Sequence, residues 1–292
     1  MSPAAPARYC GRLFTADEMA LISRLIAGPQ KPNRAQLSRL VCDELRWLRP
    51  DGRLKDMACR VAMLRMHRDG LITLPQPLKG NCNGRISPKS TTACDPREQL
   101  TIPAGDFGEL QFRIVNTPRD STVWNELIHR YHYLGYKPLP GAQLRYLVFG
   151  GGHLLAALGF GAAAWAVAPR DKFIGWTASQ RKDRLHLVIN NARFLVLPWV
   201  KSPNLASRIL GGVAKRVAAD WRERYKYAPV LLETFVEKDR FRGTCYRAAN
   251  WLITGQTQGR GKLDRYNNYS LPVKEIFLYP LAKDFRQQLC AS

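Results

Sequence analysis

Glu233 sits inside the apolar run VLLETF, flanked by Leu231, Leu232 and Phe235. A carboxylate there is costly to bury unless a cation or a donor meets it. Asp171, in APRDKFIGW beside an expected strand start, is a second acid that could converge with it, and Glu237 and Asp239 follow in the next loop. Carboxylates converging from separate strands hold the Mg²⁺ of nucleases and strand-transferases, which clamps the attacking and leaving oxygens. Glu233 and Asp171 are therefore the candidate metal ligands and, with His132, the candidate catalytic residues. Mg²⁺ is the cofactor implied if the chain is an enzyme, and no cofactor is certain. The competing expectation for Glu233 is a structural ion pair with an arginine such as Arg193 or Arg247. His129 and His132 lie three apart on an expected helix, with Glu126 a turn earlier, so they share a face and could bind metal or act as a base. The alternative is that His132 is a packed helix-end residue between Tyr131 and Tyr133. Tyr246 in GTCYRAANW could attack a phosphodiester, but the His-x-His of single-strand nickases is missing, which favours a buried aromatic. GxxxxGK[ST] and GxSxG are both absent, so P-loop ATP hydrolysis is not expected.

The basic residues point to a polyanion. The chain has 292 residues, with 45 Lys plus Arg against 23 Asp plus Glu, a formal charge of +22 and a pI near 10.1. Hydrophobic residues make up 46% and aromatics 10%, which a disordered basic tail lacks. A folded chain this basic takes nucleic acid as its default partner. Arg53, Arg60 and His67 recur every seven residues on an expected third helix, with Lys55 and Arg65 nearby, and Arg34 opens the helix before it. Arg247, Arg260 and Lys262 flank the glycine-rich loop TGQTQGRGKLDR close to Trp251, where glycines would let the backbone approach a phosphate. Arg170 and Lys201 complete the expected DNA-contact set.

Three regions must position these residues. Residues 12–76 read as a basic helical head. Thr15 with Glu18 and Asn33 mark two helix starts, Leu54, Met57, Ala58, Val61 and Leu64 are expected inward on the third helix, and LITLP follows as a short strand. Helix, turn, helix, strand is the order of a winged helix-turn-helix, suited to the major groove. Residues 77–104 read as a polar linker. Residues 105–292 read as α+β with a mainly antiparallel sheet. Its expected strands are ELQFRIV, a hairpin around Gly150–Gly152, LHLVINNARFLVL, APVLLETFV and VKEIFLYPL, with a helix from Ser121 to Gly135 and another opening near Ser202 or Asn204. The seven cysteines form no CxxC and read as reduced thiols. The first residues lack the apolar stretch of a signal peptide, and Leu144–Pro169 reads as a buried hairpin rather than a membrane span. The expected location is cytoplasmic, with no membrane partner.

Several blocks in order, RYHYLGY (130–136), RDKFIGW (170–176), NNARFLVLPWVKSPNLASRIL (190–210), LLETFVEKDRFRGTCYRAANW (231–251) and GQTQGRG (255–261), resemble the Druantia-associated DruA family. The resemblance covers about residues 107–290, and the block RAQLSRLVCDELRW…GRLKDMACR resembles the helical head often attached to it. It implies DNA work in bacterial anti-phage defence or in mobile elements, beside a helicase or transposase partner. A homodimer would suit a DNA-end-binding protein. The strand ending in VLP, then a loop, then NLASRILGGVAKRVAADW is similar to the strand–loop–helix of acetyltransferases related to Gcn5, where amides at the helix start hold the pyrophosphate of coenzyme A. That pattern wants Gln or Arg followed by Gly-x-Gly or Gly-x-Ala, whereas here Lys201 is followed by Asn204 and Ala206. An acyltransferase that modifies bases or a protein is thus a further alternative to a DNA-binding module or a metal-dependent strand-processing enzyme.

Overall fold

A computed structural model of the chain describes residues 7–29, 31–78, 87–259 and 271–291. The chain divides into two compact units, Met1–Asn83 and Gly84–Ser292.

The first unit is a hairpin and three helices. Strands β1 (Ala7–Tyr9) and β2 (Arg12–Phe14) pair antiparallel ahead of α1 (Ala16–Ala27). Thr15 and Glu18 close a capping box on α1, and Asn33 and Gln36 close one on α2 (Arg34–Glu44), so both expected helix starts stand where the side chains can satisfy orphan amides. The third helix, α3, runs Asp56–Arg68. It begins after Arg53, so Arg53 does not share a helix face with Arg60 and His67. Its inward face also differs from the expected one. Cys59, Ala62, Met63 and Met66 are buried, while Met57 and Val61 are exposed. A small thiol, an alanine and two methionines pack the core here, and a pattern read from branched aliphatics misses them. LITLP forms no strand. Ile72 and Leu74 are buried in an extended segment tied down by His67, whose Nδ1 lies 3.1 Å from the Ile72 carbonyl, and by Arg34, whose Nε donates to the Pro75 carbonyl at 2.7 Å.

The second unit is built on a seven-stranded sheet in the order β3-β4-β5-β6-β7-β9-β8. Its strands are β3 (Gln111–Ile114), β4 (Leu144–Gly150), β5 (His153–Ala162), β6 (Val188–Val196), β7 (Leu231–Glu237), β8 (Leu252–Gln256) and β9 (Lys274–Pro280). All neighbours are antiparallel except β6 and β7. The fold is therefore α+β with a mixed, mostly antiparallel sheet. Gly151 and Gly152 turn the β4–β5 hairpin with φ of 55° and 79°, the left-handed pair that a two-residue turn demands. Two long helices cover the sheet. The first, α4 (Pro118–Tyr131), starts three residues before the expected Ser121, because Thr117 caps it and Pro118 is preset for a first turn. The second, α7 (Leu205–Tyr225), follows β6. Gly159 lies under Trp124 of α4, where a Cβ would come 2.8 Å from the ring. Its neighbour Phe160 packs on Tyr146, whose hydroxyl donates to Asp220 of α7. Side chains alternate across a strand, so α4 and α7 cover opposite faces.

Among the described residues the unit also has four shorter α-helices: α5 (Ala168–Ile174), α6 (Ala178–Arg184), α8 (Thr244–Ala248) and α9 (Phe285–Leu289). Asp171 thus lies on a helix, not beside a strand start. The expected linker is only partly a connection. Residues 79–86 lie outside the described residues, but Thr91 to Ala104 pack onto the second unit. Cys94 is buried there, and Leu100 exchanges backbone hydrogen bonds with Trp199 and Lys201. Within the described residues no helix is long and apolar enough to cross a membrane.

Candidate functional site

The two acids expected to hold metal do come together, but around a guanidinium. Arg170, on α5, is fully buried. Its Nη1 donates to Glu233 Oε2 at 2.7 Å and to the Ala164 carbonyl at 2.8 Å. Its Nε and Nη2 both donate to Asp171 Oδ1, at 2.9 and 2.7 Å. The Ala164 N–H takes Glu233 Oε1, and the Val167 N–H and Arg181 take Asp171 Oδ2. All four carboxylate oxygens are engaged, so a Mg²⁺ ion would have to displace Arg170. Full burial raises the Glu233 pKa, against the pull of Arg170 and the Ala164 N–H. The residues present do not fit a metal, and no group of three His, Cys, Asp or Glu among the described residues is placed to hold one. The ion-pair expectation for Glu233 holds, with Arg170 as partner in place of Arg193 or Arg247. Arg170 itself, fully enclosed, cannot be a DNA contact.

His132 caps the end of α4 and is buried. Its Nδ1 accepts from the Leu134 N–H at 3.2 Å, which places the ring proton on Nε2, and the ring stacks on Tyr133. Burial, helped by the nearby Arg193 charge, pulls its pKa down to about 4. A neutral ring held this way is a weak base. Glu126, the acid a turn before His129, is engaged elsewhere. It accepts from the Thr91 amide and hydroxyl and pairs with Arg130 at 3.0 Å.

The β6–β7 boundary is the unusual feature of the sheet. The two strands pair in parallel only from Val188–Asn190 against Leu231–Glu233, then part. Buried polar side chains fill the gap. Tyr246 of α8 donates its hydroxyl to Asn191 Oδ1 at 2.9 Å, and the Thr234 hydroxyl donates to the Asn191 carbonyl at 3.0 Å. Burial raises the Tyr246 pKa. Tyr246 is the buried aromatic rather than a nucleophile. Two residues on, Arg193 donates Nη1 to the neighbouring Ala192 carbonyl, while its Nε is buried with no partner. No described carboxylate pairs with it.

At the start of α7, Asn204 stands where the acetyltransferase pattern has its first glycine, and it adopts the left-handed conformation glycine favours, with φ of 64°. Several other groups of this loop are not free to meet coenzyme A. Pro203 has no N–H to offer a pyrophosphate, the Lys201 N–H is committed to the Leu100 carbonyl at 2.8 Å, and Arg208 of the first turn is held by the Ala104 and Gly108 carbonyls. Near the point where the strands part, Tyr246 and Asn191 are bonded to each other.

The remaining basic candidates are scattered. In the first unit Arg53, Lys55 and Arg65 are exposed, Arg60 is half-buried and bridged to Asp56 at 2.8 Å, and Arg34 is turned to Pro75. In the second, Lys201 is exposed and Arg247 pairs with Glu275 at 3.3 Å. Arg260 and Lys262 lie outside the described residues. Among the described residues every ion pair is made by an arginine, none by a lysine.

Arg145 is the residue that the sequence reading missed. It lies in β4, half-buried, with Nη1 donating to Asn125 Oδ1 at 2.9 Å and its guanidinium 5.2 Å from the Trp124 ring centroid. It borders a cavity of about 150 Å³ lined also by Ser121, Tyr136 and Gln143. The available signal was an arginine inside an apolar strand, LRYLVF, with no acid of its own.

Fold and site together define a basic α+β protein in which Glu126, Asp171, Glu233 and the buried Arg170 serve structure and the described lysines make no ion pair. The chain belongs to the DruA family: the sequence model of that family, described as Druantia protein DruA, matches residues 65–270, more than two thirds of the chain. A search of curated proteins found no match. Solved structures with some likeness are acetyltransferases and relatives. An N-acetyltransferase from Staphylococcus aureus Mu50 is 10% identical, with 60% of this chain and 99% of that one covered and a TM-score of 0.35. FeeM, an N-acyl amino acid synthase from uncultured soil microbes, is 15% identical, with 62% and 94% covered and a TM-score of 0.37. The protein yncA of Salmonella typhimurium, assigned as an acetyltransferase and solved with acetyl-CoA, is 12% identical, with 48% and 66% covered and a TM-score of 0.31.

Proposed function

We propose that this chain is a DNA-binding component of a bacterial anti-phage or mobile-element system, with strand chemistry left to a partner such as a helicase or transposase. The observation that carries the reading is the uncommitted charge. A net +22 is spread over a folded chain, and no described lysine is neutralised by an acid. Such charge is costly through self-repulsion and is offset when a polyanion releases its counterions. Membership of a family described by the Druantia system supports the biological setting. The test is binding to labelled duplex, forked and single-stranded DNA over a salt series, with Mg²⁺ or EDTA. If Arg53, Lys55, Arg65 and Lys201 each meet a phosphate, log affinity falls against log salt with a slope of roughly 3 to 4. Reversing those four charges should abolish most of the slope. Absence of binding at low salt would remove the reading. Mg²⁺-dependent cleavage would move the chemistry back onto this chain.

A further inference from the structure

We propose that the cavity between α4 and β4 binds one unstacked pyrimidine base, a deepening of the DNA-binding reading, on which the polymer arm of its test rests. The cavity measures about 150 Å³. A space of that volume takes a benzene ring, so it matches a single six-membered ring more closely than a fused purine. Its lining is polar and aromatic. The Trp124 ring is buried and held by the bond from its Nε1 to the Leu158 carbonyl at 2.9 Å, over the bare backbone of Gly159, so the half-buried Tyr136 is the ring left for a base to stack on. Arg145 is anchored on the Trp124 face and to Asn125.

The uncommitted polar atoms form a mixed set. Asn125 has spent its Oδ1 on Arg145, which leaves its amide NH₂ to donate. Gln143 has spent its Nε2 on the Leu139 carbonyl at 3.2 Å, which leaves its Oε1 to accept. The Ser121 hydroxyl can do either. A donor beside an acceptor is what the Watson–Crick edge of a pyrimidine requires, and reading that edge requires an unstacked base. The charges that act on Arg145 come from Arg224 and the phenols of Tyr136 and Tyr225, with no carboxylate among them. The 5′-phosphate of the bound nucleotide would supply the missing negative charge.

The experiment uses the full chain. Three single strands of about a dozen nucleotides share an abasic backbone. One carries a central thymine, one a central adenine and one no base. The thymine strand should bind about tenfold tighter than the baseless strand, in line with the worth of one stacked and read base. The adenine strand should match the baseless one. Ser121→Phe, which places a ring in the cavity, and Arg145→Met should each bring the thymine strand to the baseless level, with baseless binding in Ser121→Phe unchanged. Equal binding of thymine and baseless strands, or thymine preference that survives both substitutions, would overturn the proposal. Thymidine monophosphate, titrated against tryptophan fluorescence, separates the two readings. If no strand binds at low salt, the DNA reading has failed, and saturable binding of the mononucleotide that Ser121→Phe removes would still support the cavity. No response to the mononucleotide in that case would overturn the cavity too.

Discussion

Removal of either half of the Arg170–Glu233 pair should destabilise the second unit. Arg170 donates four charge-assisted hydrogen bonds, and neither it nor Glu233 has measurable exposure. Glu233→Gln leaves a buried guanidinium balanced by Asp171 alone, and Arg170→Met leaves a buried carboxylate with only the Ala164 N–H. Loss of one partner of a buried pair costs about 3–5 kcal/mol, because the survivor keeps its desolvation penalty. For a unit of this size 1 kcal/mol corresponds to about 2–4 °C, so each variant should melt roughly 6–20 °C lower. The double variant Arg170→Met/Glu233→Leu should be far more stable than the sum of the single losses, since an apolar pair carries no such penalty. Thermal and urea unfolding followed by circular dichroism and tryptophan fluorescence reads all three, and Trp176 beneath Arg170 is a local reporter. Single variants within about 0.5 kcal/mol of the parent protein would refute the structural assignment. A Glu233→Gln protein that keeps its stability but loses a DNA activity would restore the acid to catalysis.

Three further outcomes follow from the structure. His132 is held neutral with a pKa of about 4 against 6.5 unfolded, so the unfolded chain binds the extra proton between those values. Stability should be full above pH 6.5 and fall by about 3 kcal/mol as pH drops to 4, and His132→Phe should flatten that part of a stability–pH profile. Cys42, Cys59 and Cys94 are buried, and burial raises all three thiols, Cys94 to about 11, so a thiol reagent at pH 8 should label Cys10 and Cys290 well before them. Asn204→Ala should cost about 1–2 kcal/mol in urea unfolding, because the left-handed conformation penalises alanine, while Asn204→Gly should be near neutral. Equal loss from both would show that the Asn204 side chain, not its backbone, matters.

Local chemistry was legible wherever it acts over a few residues. The helix caps at Thr15 and Asn33, the glycine turn at 151–152 and the strands β3 to β7 and β9 follow from caps, turns and alternation, which neighbours along the chain decide, whereas β8 runs into what reads as a glycine-rich loop. Where an apolar face was read from branched aliphatics alone, as on α3, the reading slipped, since Cys59, Ala62 and Met63 are equally good core residues. LITLP carries strand-like residues but pairs with no strand among the described residues, and its backbone is held by His67 and Arg34 instead.

The sequence by itself determined the longer helices, most strands of the large sheet and their order, the basic balance and the family likeness, because composition and short-range periodicity encode them; the β1–β2 hairpin, β8 and the short helices α5, α6 and α9 it did not. It also flagged Glu233 correctly as a buried acid in need of a partner. The partner was a matter of tertiary structure alone. Arg170 lies 63 residues away, and α5 must pack against β8 and β9 before its guanidinium can reach Glu233 while holding its neighbour Asp171. The same holds for the bond of Tyr246 to Asn191 and for the cavity at Arg145. Each joins side chains far apart in the chain, and a distance through space between such residues has no trace in their spacing along it.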